Sequence, residues 1–293
     1  MYFFKSLFIL LITISLYSEA IIDGKMGILT SGITNASNKE YGILFGILLE
    51  KLSANEDVKS KLKYYEDEKL ILNEFIEHKL DYVAVNPIYY LKNQDLLDPY
   101  VKYYWSLRKY ESKFQKMILV VRKDSKINSV KDLKEKKVIL EKNNFMGKLV
   151  LDKVLLKTIN IRYKDYIKKL YLTNTDLSAV LQVFFKKSDV AIIPQSAYDL
   201  ICEMNPAINK SIKIIYDTKH IFMPILSIVN NQSSKILFPK MKKIFDNVHK
   251  SIEGKNFFEL IRMKNVDVLS QKELEPLKKY YAEYIILKNK YKR

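Results

Sequence analysis

Cysteine, arginine and glycine are all scarce in this sequence, and each scarcity excludes something. The single cysteine, Cys202, rules out an internal disulfide, so the fold must be held by its core alone. In "AYDLICEMNP" it falls at helical spacing and reads as a small buried apolar residue. Arginine occurs only at Arg108, Arg122, Arg162, Arg262 and Arg293, among 50 basic residues. Nucleic-acid sites lean on the bidentate contacts of arginine, so the formal charge of +17 does not point to a nucleic-acid partner. The scattered lysines make a positive surface that can steer small anions toward a cleft. Catalytic signatures are missing as well: there is no GxSxG, no Walker A loop and no HExxH. His78, His220 and His249 lie far apart without metal spacing. No enzymatic activity, cofactor or metal is expected. Gly147 is the only glycine between Gly46 and Gly254, and a chain this poor in glycine should place it where backbone geometry demands it.

Long apolar runs are also missing beyond the N-terminus. The first twenty residues, "MYFFKSLFILLITISLYSEA", carry Lys5, an apolar run from Leu7 to Leu16 and the small residues Ser18 and Ala20. That pattern predicts a signal peptide over 1–20, cleaved after Ala20, with an uncleaved anchor as the other reading. No cysteine follows the run, so a lipid anchor is not expected.

What is present is an alternation of short β-type and helical runs, the mark of a parallel sheet flanked by helices. "KMGILT" (25–30) reads as a strand. Ser37 and Glu40 form a capping box for a helix carrying Phe45, Leu48 and Leu52. "KLKYYE" (61–66) and "DYVAV" (81–85) are strands around the helix "KLILNEFIEHK", and Asn86-Pro87 opens another helix. A long extended region leads to the apolar strand Met117–Val121, where a second series begins. Ser129 and Asp132 cap a short helix, "KKVIL" is a strand, and the helix at Gly147 follows. Strands at 167–172 and 188–194 flank the helix 177–185. Return strands at 211–217 and 224–230 precede two amphipathic helices, roughly 234–249 and 272–290.

"FIEHKLDYVAVNPIYYLKN" and "KMILVVRKDSKINSVKDLKEKKVILEKNNFMGKLV" resemble the phosphonate-binding family of periplasmic solute-binding proteins, the ligand-capturing subunits of ABC importers. Asp81, Asn86, Pro87 and Tyr90 match one motif, and Val121–Lys137 is the most specific match. The segment "LTNTDLSAVLQVFFKKSDVAII" also fits. The resemblance implies an α/β, two-lobed type II periplasmic binding fold with a central ligand cleft and an extended-strand hinge. Lobe one would hold 21–113 plus 223–293 and lobe two 114–222, acting as a monomer in the periplasm. The small-molecule ligand would be enclosed between the lobes and passed to an ABC permease. The other reading is a periplasmic sensor that signals to a membrane histidine kinase or chemoreceptor.

Four helix entrances could point backbone N–H groups at that ligand: Ser37-Asn38, Asn86-Pro87, Asn144–Gly147 and Thr173–Asp176. Candidate contacts are Ser31, Thr34 and Asn35 in the first loop, Asn86 and Tyr90, and Asn144, Phe145, Met146 and Gly147. Thr175 and Asp176 complete the set. Tyr89 is the alternative to Tyr90, given helical rotation. The resemblance also exposes departures. Members that hold phosphonate place Ser-Thr-Ser before the glycine, where this chain has Asn144-Phe145-Met146, and a histidine where it has Asp176. Pro194-Gln195 replaces an acidic pair. A buried carboxylate would repel a phosphonate, so an altered pocket is expected.

Overall fold

The computed structural model describes residues 21–30, 38–109, 111–233, 235–261 and 263–291. Strand β1 (Ile22–Leu29), helix α1 (Asn38–Ala54), β2 (Val58–Tyr65), α2 (Glu68–Ile76), β3 (Tyr82–Val85), α3 (Pro87–Lys92), the short α4 (Gln94–Leu97) and β4 (Val101–Arg108) come first. β1, β2 and β3 pair in parallel, and their all-apolar or alternating runs meet helices on the crossovers. Local chemistry sets the helix starts. Asp67 caps α2 by accepting from the Lys69 and Leu70 amides, and Asn86 caps α3 with Pro87 at its first position.

The second series runs β5 (Met117–Arg122), β6 (Lys137–Glu141), α5 (Phe145–Ile159), β7 (Lys169–Thr173), α6 (Asp176–Phe184), β8 (Val190–Pro194), α7 (Gln195–Met204), α8 (Pro206–Ser211) and β9 (Ile212–Asp217). It forms a separate five-stranded sheet in the order β7-β6-β8-β5-β9. The chain then returns as β10 (Leu226–Asn230), α9 (Leu237–Val248), α10 (Ile252–Ile261), β11 (Asn265–Leu269) and α11 (Gln271–Lys290). β10 inserts antiparallel between β3 and β4, completing the first sheet as β11-β4-β10-β3-β1-β2. Gln115 on the outward passage and Phe222 on the return form an isolated antiparallel bridge where the chain crosses between sheets.

Two sequence expectations change. α10 and β11 were not anticipated. β11 is a five-residue edge strand whose short Val266/Val268 alternation is a weak signal beside the two flanking helices. α11 touches both series: Lys278 Nζ reaches Asp98 Oδ2 at 2.7 Å on the first, and on the second it lies against α5, with Lys153 Nζ donating to the Tyr280 carbonyl at 2.8 Å. Its first turn is tied by Lys113–Glu273 to the outward passage. Leu274, Leu277 and Tyr281 thereby join an apolar cluster that runs from Leu29 and Phe75 through Phe222 to Leu140 and Val150. Cys202 is half-buried rather than buried. Ser37, the expected cap of α1, lies outside the described residues.

The glycine expectation is also corrected. Left-handed backbone is held by Asp57, His78, Glu135, Asn160 and Lys186, with φ between 55° and 62°. A Cβ on Gly147 would instead meet the Asn144 side chain at 2.8–2.9 Å. Gly147 is there for space.

Candidate functional site

Parallel strands deliver their carboxyl ends, and the helix N-termini that follow, to one region of each sheet. β3 ends beside α3, β6 ends at Glu141 before α5, and β7 ends at Thr173 before α6. α3 and α5 touch across the gap between the sheets. Between them lies a cleft of about 60 Å³, whose lining includes Pro87, Lys109, Gln115, Glu141, Asn143, Asn144, Phe145, Met146, Asp176, Pro194, Met223 and Pro224.

Four of the residues expected from sequence line it: Asn144, Phe145, Met146 and Asp176. Gly147 sits directly behind them, and its N–H donates to Asn144 Oδ1 at 2.7 Å. Asn144 is held in turn by its own N–H on the Glu141 carbonyl at 2.9 Å and its Nδ2 near the Ile192 carbonyl at 3.4 Å. The amide proposed to hold an anion is therefore satisfied by its own N-cap. Thr175 lies outside the lining and spends Oγ1 on the Ser178 N–H at 3.0 Å. Asn86 likewise accepts from the Tyr89 N–H at 2.8 Å, leaving Pro87 to face the cleft.

Tyr90 is not brought to the cleft. It is fully buried in the first lobe, with its hydroxyl 2.5 Å from Asp98 Oδ1 and 3.2 Å from the Tyr104 hydroxyl, and burial pushes its pKa far above the ordinary tyrosine value. Tyr89 is also interior, donating to the Glu68 carbonyl at 2.7 Å. Ser31, Thr34 and Asn35 lie outside the described residues.

The charges of the cleft are Lys109, Asp176 and Glu141. Lys109 Nζ stands 3.0 Å from Asp176 Oδ2, and the Asp176 side chain is 7% exposed. Glu141 accepts the Asn143 N–H at 3.2 Å. Burial pushes its carboxyl above the usual range, and Lys109 and the Asn143 N–H offset this only in part. Neither Lys109 nor Glu141 was expected from sequence. Glu141 had a usable signal, since it closes a buried parallel strand at its carboxyl end. Lys109 had none, because nothing local marks a lysine just past β4 as facing inward. Gln115 was missed too; besides its bridge to Phe222 it receives the Ser196 hydroxyl at Oε1.

A larger cavity of about 170 Å³ lies in the first lobe among Met26, Trp105, Phe45, Phe245 and Phe257, under α1, α9 and α10. No charged side chain among the described residues lines it. Among the described residues no group of three or more His, Cys, Asp or Glu could hold a metal ion, and no helix is long and apolar enough to cross a membrane.

Solved structures share this architecture. A binding-protein component of an ABC phosphonate transporter from Pseudomonas aeruginosa aligns at 16% identity over 92% of this chain and 89% of its own, with a TM-score of 0.59. PhnD1 from Prochlorococcus marinus, in complex with methylphosphonate, aligns at 15% identity over 89% and 97%, with a TM-score of 0.58. A Xanthomonas citri protein bound to ATP aligns at 12% identity over 91% and 98%, with a TM-score of 0.60. At these identities the likeness shows the fold, a two-lobed α/β structure with open sheets of the type II periplasmic binding class. No curated protein sequence matches the chain. The family model described as the phosphonate periplasmic substrate-binding protein of ABC transporters matches residues 32–274, so the chain belongs to this family of substrate-binding proteins, which are not enzymes.

Proposed function

We propose that this protein captures a small solute other than a phosphonate between its lobes and hands it to an ABC permease. Lobe one comprises 21–113 plus 223–293 and lobe two 114–222, with residues 1–20 removed on export to the periplasm. The passages that meet at Gln115–Phe222 serve as the hinge, and closure buries the solute against Asn144, Phe145, Met146 and Asp176. The reading of an altered pocket rests on one observation above all: the Gly147 N–H is already satisfied by Asn144, in a cleft lined by two carboxylates and one ammonium. A phosphonate would meet repulsion where it needs donors.

A thermal-shift panel on the purified protein tests this, using methylphosphonate, phosphate, a sulfonate, an amine and a carboxylate. A ligand at 100 times its Kd adds about 2.7 kcal/mol of stability, well within detection. Stabilisation by methylphosphonate alone would sink the altered-pocket reading.

A further inference from the structure

The cleft's own charges assign the class of solute. Lys109 pairs with Asp176 at 3.0 Å and also acts on Glu141 through space, so the described lining sets two carboxylates against one ammonium and is negative in excess by one charge. Glu141 is held in place by its backbone, since β6 pairs with β7 on one side and β8 on the other. Its carboxylate receives the Asn143 N–H, and among the described residues no lysine or arginine stands within ion-pair distance of it. Burial already raises the cost of keeping Glu141 ionised, so an arriving positive charge is favoured there. Gln115, Asn143 and Asn144 add neutral polar groups, and the apolar part of the wall is Phe145, the methionines Met117, Met146 and Met223, and three prolines. An aromatic ring and thioether sulfurs attract alkylated cations and pack against methyl groups. The volume of about 60 Å³ suits a head of a few heavy atoms.

We infer that the cleft takes a small organic monocation, an amine or alkylammonium, seated against Glu141 with its carbon groups on Phe145, Met146 and Met223. The inference rests on the solute-binding reading above and narrows it. The Lys109–Asp176 pair then acts as a neutral wall, and Glu141 supplies the charge that selects.

The test is calorimetric titration of the purified protein with ethanolamine, trimethylamine and tetramethylammonium, beside methylphosphonate, sulfate, acetate and glucose. At least one amine probe binds saturably, and the anions do not. Glu141→Gln, which keeps size and one acceptor oxygen but removes the charge, weakens that binding at least tenfold. Lys109→Met leaves two carboxylates unopposed and tightens amine binding several-fold, a change of opposite sign that a misfolded variant could not produce. Amine binding unmoved by Glu141→Gln, or weakened by Lys109→Met, overturns the assignment. Binding of sulfate, acetate or glucose in place of the amines overturns it too, while the solute-binding reading stands; binding of methylphosphonate in their place overturns it and the altered-pocket reading together. If no probe of any class binds, both fall.

Discussion

Lys109 and Asp176 join the two lobes across the cleft, Nζ to Oδ2 at 3.0 Å, from the end of a first-sheet strand to the start of a second-sheet helix. The lysine side chain is 26% exposed and the aspartate 7%, so the pair lies between a solvated surface bridge and a fully buried one. Surface bridges contribute under about 1 kcal/mol, and breaking buried ones costs about 3–5 kcal/mol. Asp176→Asn should therefore shift the balance toward the open form by about 1–3 kcal/mol. Small-angle scattering would register a larger radius of gyration without ligand. An unchanged radius would mean the pair does not hold the lobes together.

Asn144 and Gly147 give the second prediction. Asn144→Gly removes the side chain that occupies the Gly147 N–H, while glycine at an N-cap costs only a few tenths of a kcal/mol. The freed amide sits behind the position that the Asn144 side chain vacates and becomes available to an anion there. Sulfate should bind the variant measurably more tightly than the parent in a calorimetric titration. Equal, undetectable affinity in both would show that the charge of Glu141 and Asp176, not the cap, keeps anions out.

Much of this arrangement was legible in the sequence, and the exceptions have physical reasons. Asn86-Pro87 and Ser129/Asp132 were correctly read as helix starts because capping chemistry is local. Asn144, Phe145, Met146 and Asp176 reach the cleft because strand ends and helix starts must converge there. Tyr90 lies outside the cleft because its long side chain runs into the first-lobe core, where its hydroxyl meets Asp98 and Tyr104, while the short Pro87 ring at the start of α3 stays at the lining. Lys109 was invisible because its partner is supplied by the other lobe, 67 residues away. Gly147 misled because space, and not φ, is what it provides.

The left-handed residues yield a stability prediction. Glu135 and Lys186 sit at φ 57° and 61°, a conformation that costs a residue with a Cβ about 1–2 kcal/mol. Glycine removes that cost but loses about 0.5–1 kcal/mol of chain entropy on folding. Glu135→Gly and Lys186→Gly should each gain about 0.5–1 kcal/mol, read as a higher urea midpoint at constant slope. Alanine at the same positions should not stabilise, which separates backbone strain from loss of the side chain.

Asp152 anchors the last helix to the second lobe. Its side chain is 2% exposed and accepts from Arg162 Nε at 2.7 Å, the Tyr163 N–H at 3.0 Å and the Tyr284 hydroxyl at 2.9 Å. Asp152→Ala strands Arg162 and two polar groups, and should cost about 3–5 kcal/mol in denaturant unfolding. Tyr284→Phe removes a single hydrogen bond to a charged group and should cost about 1.5–3 kcal/mol. A reversed order would place the strength of the contact in the tyrosine ring and not in the carboxylate.

Glu273 makes the same helix acid-sensitive at its other end. Burial works against its ionised form, but the Lys113 ammonium at 2.6 Å and the N–H and hydroxyl of Ser270 outweigh that and hold its pKa at about 2. A carboxylate whose pKa is lower in the folded than in the unfolded chain contributes stability above its unfolded pKa, and that contribution is lost as pH falls through the folded value. The window runs from about 4.5 down to about 2. With the side chain 37% exposed, solvent screening limits the contribution to about 1 kcal/mol. Glu273→Gln should lower stability at pH 7 by that amount while leaving it nearly unchanged at pH 2, so the parent and variant curves converge on acidification. Curves that stay parallel from pH 7 to pH 2 would mean that Lys113 and Ser270 hold the helix start by packing and neutral hydrogen bonds, with no role for the charge.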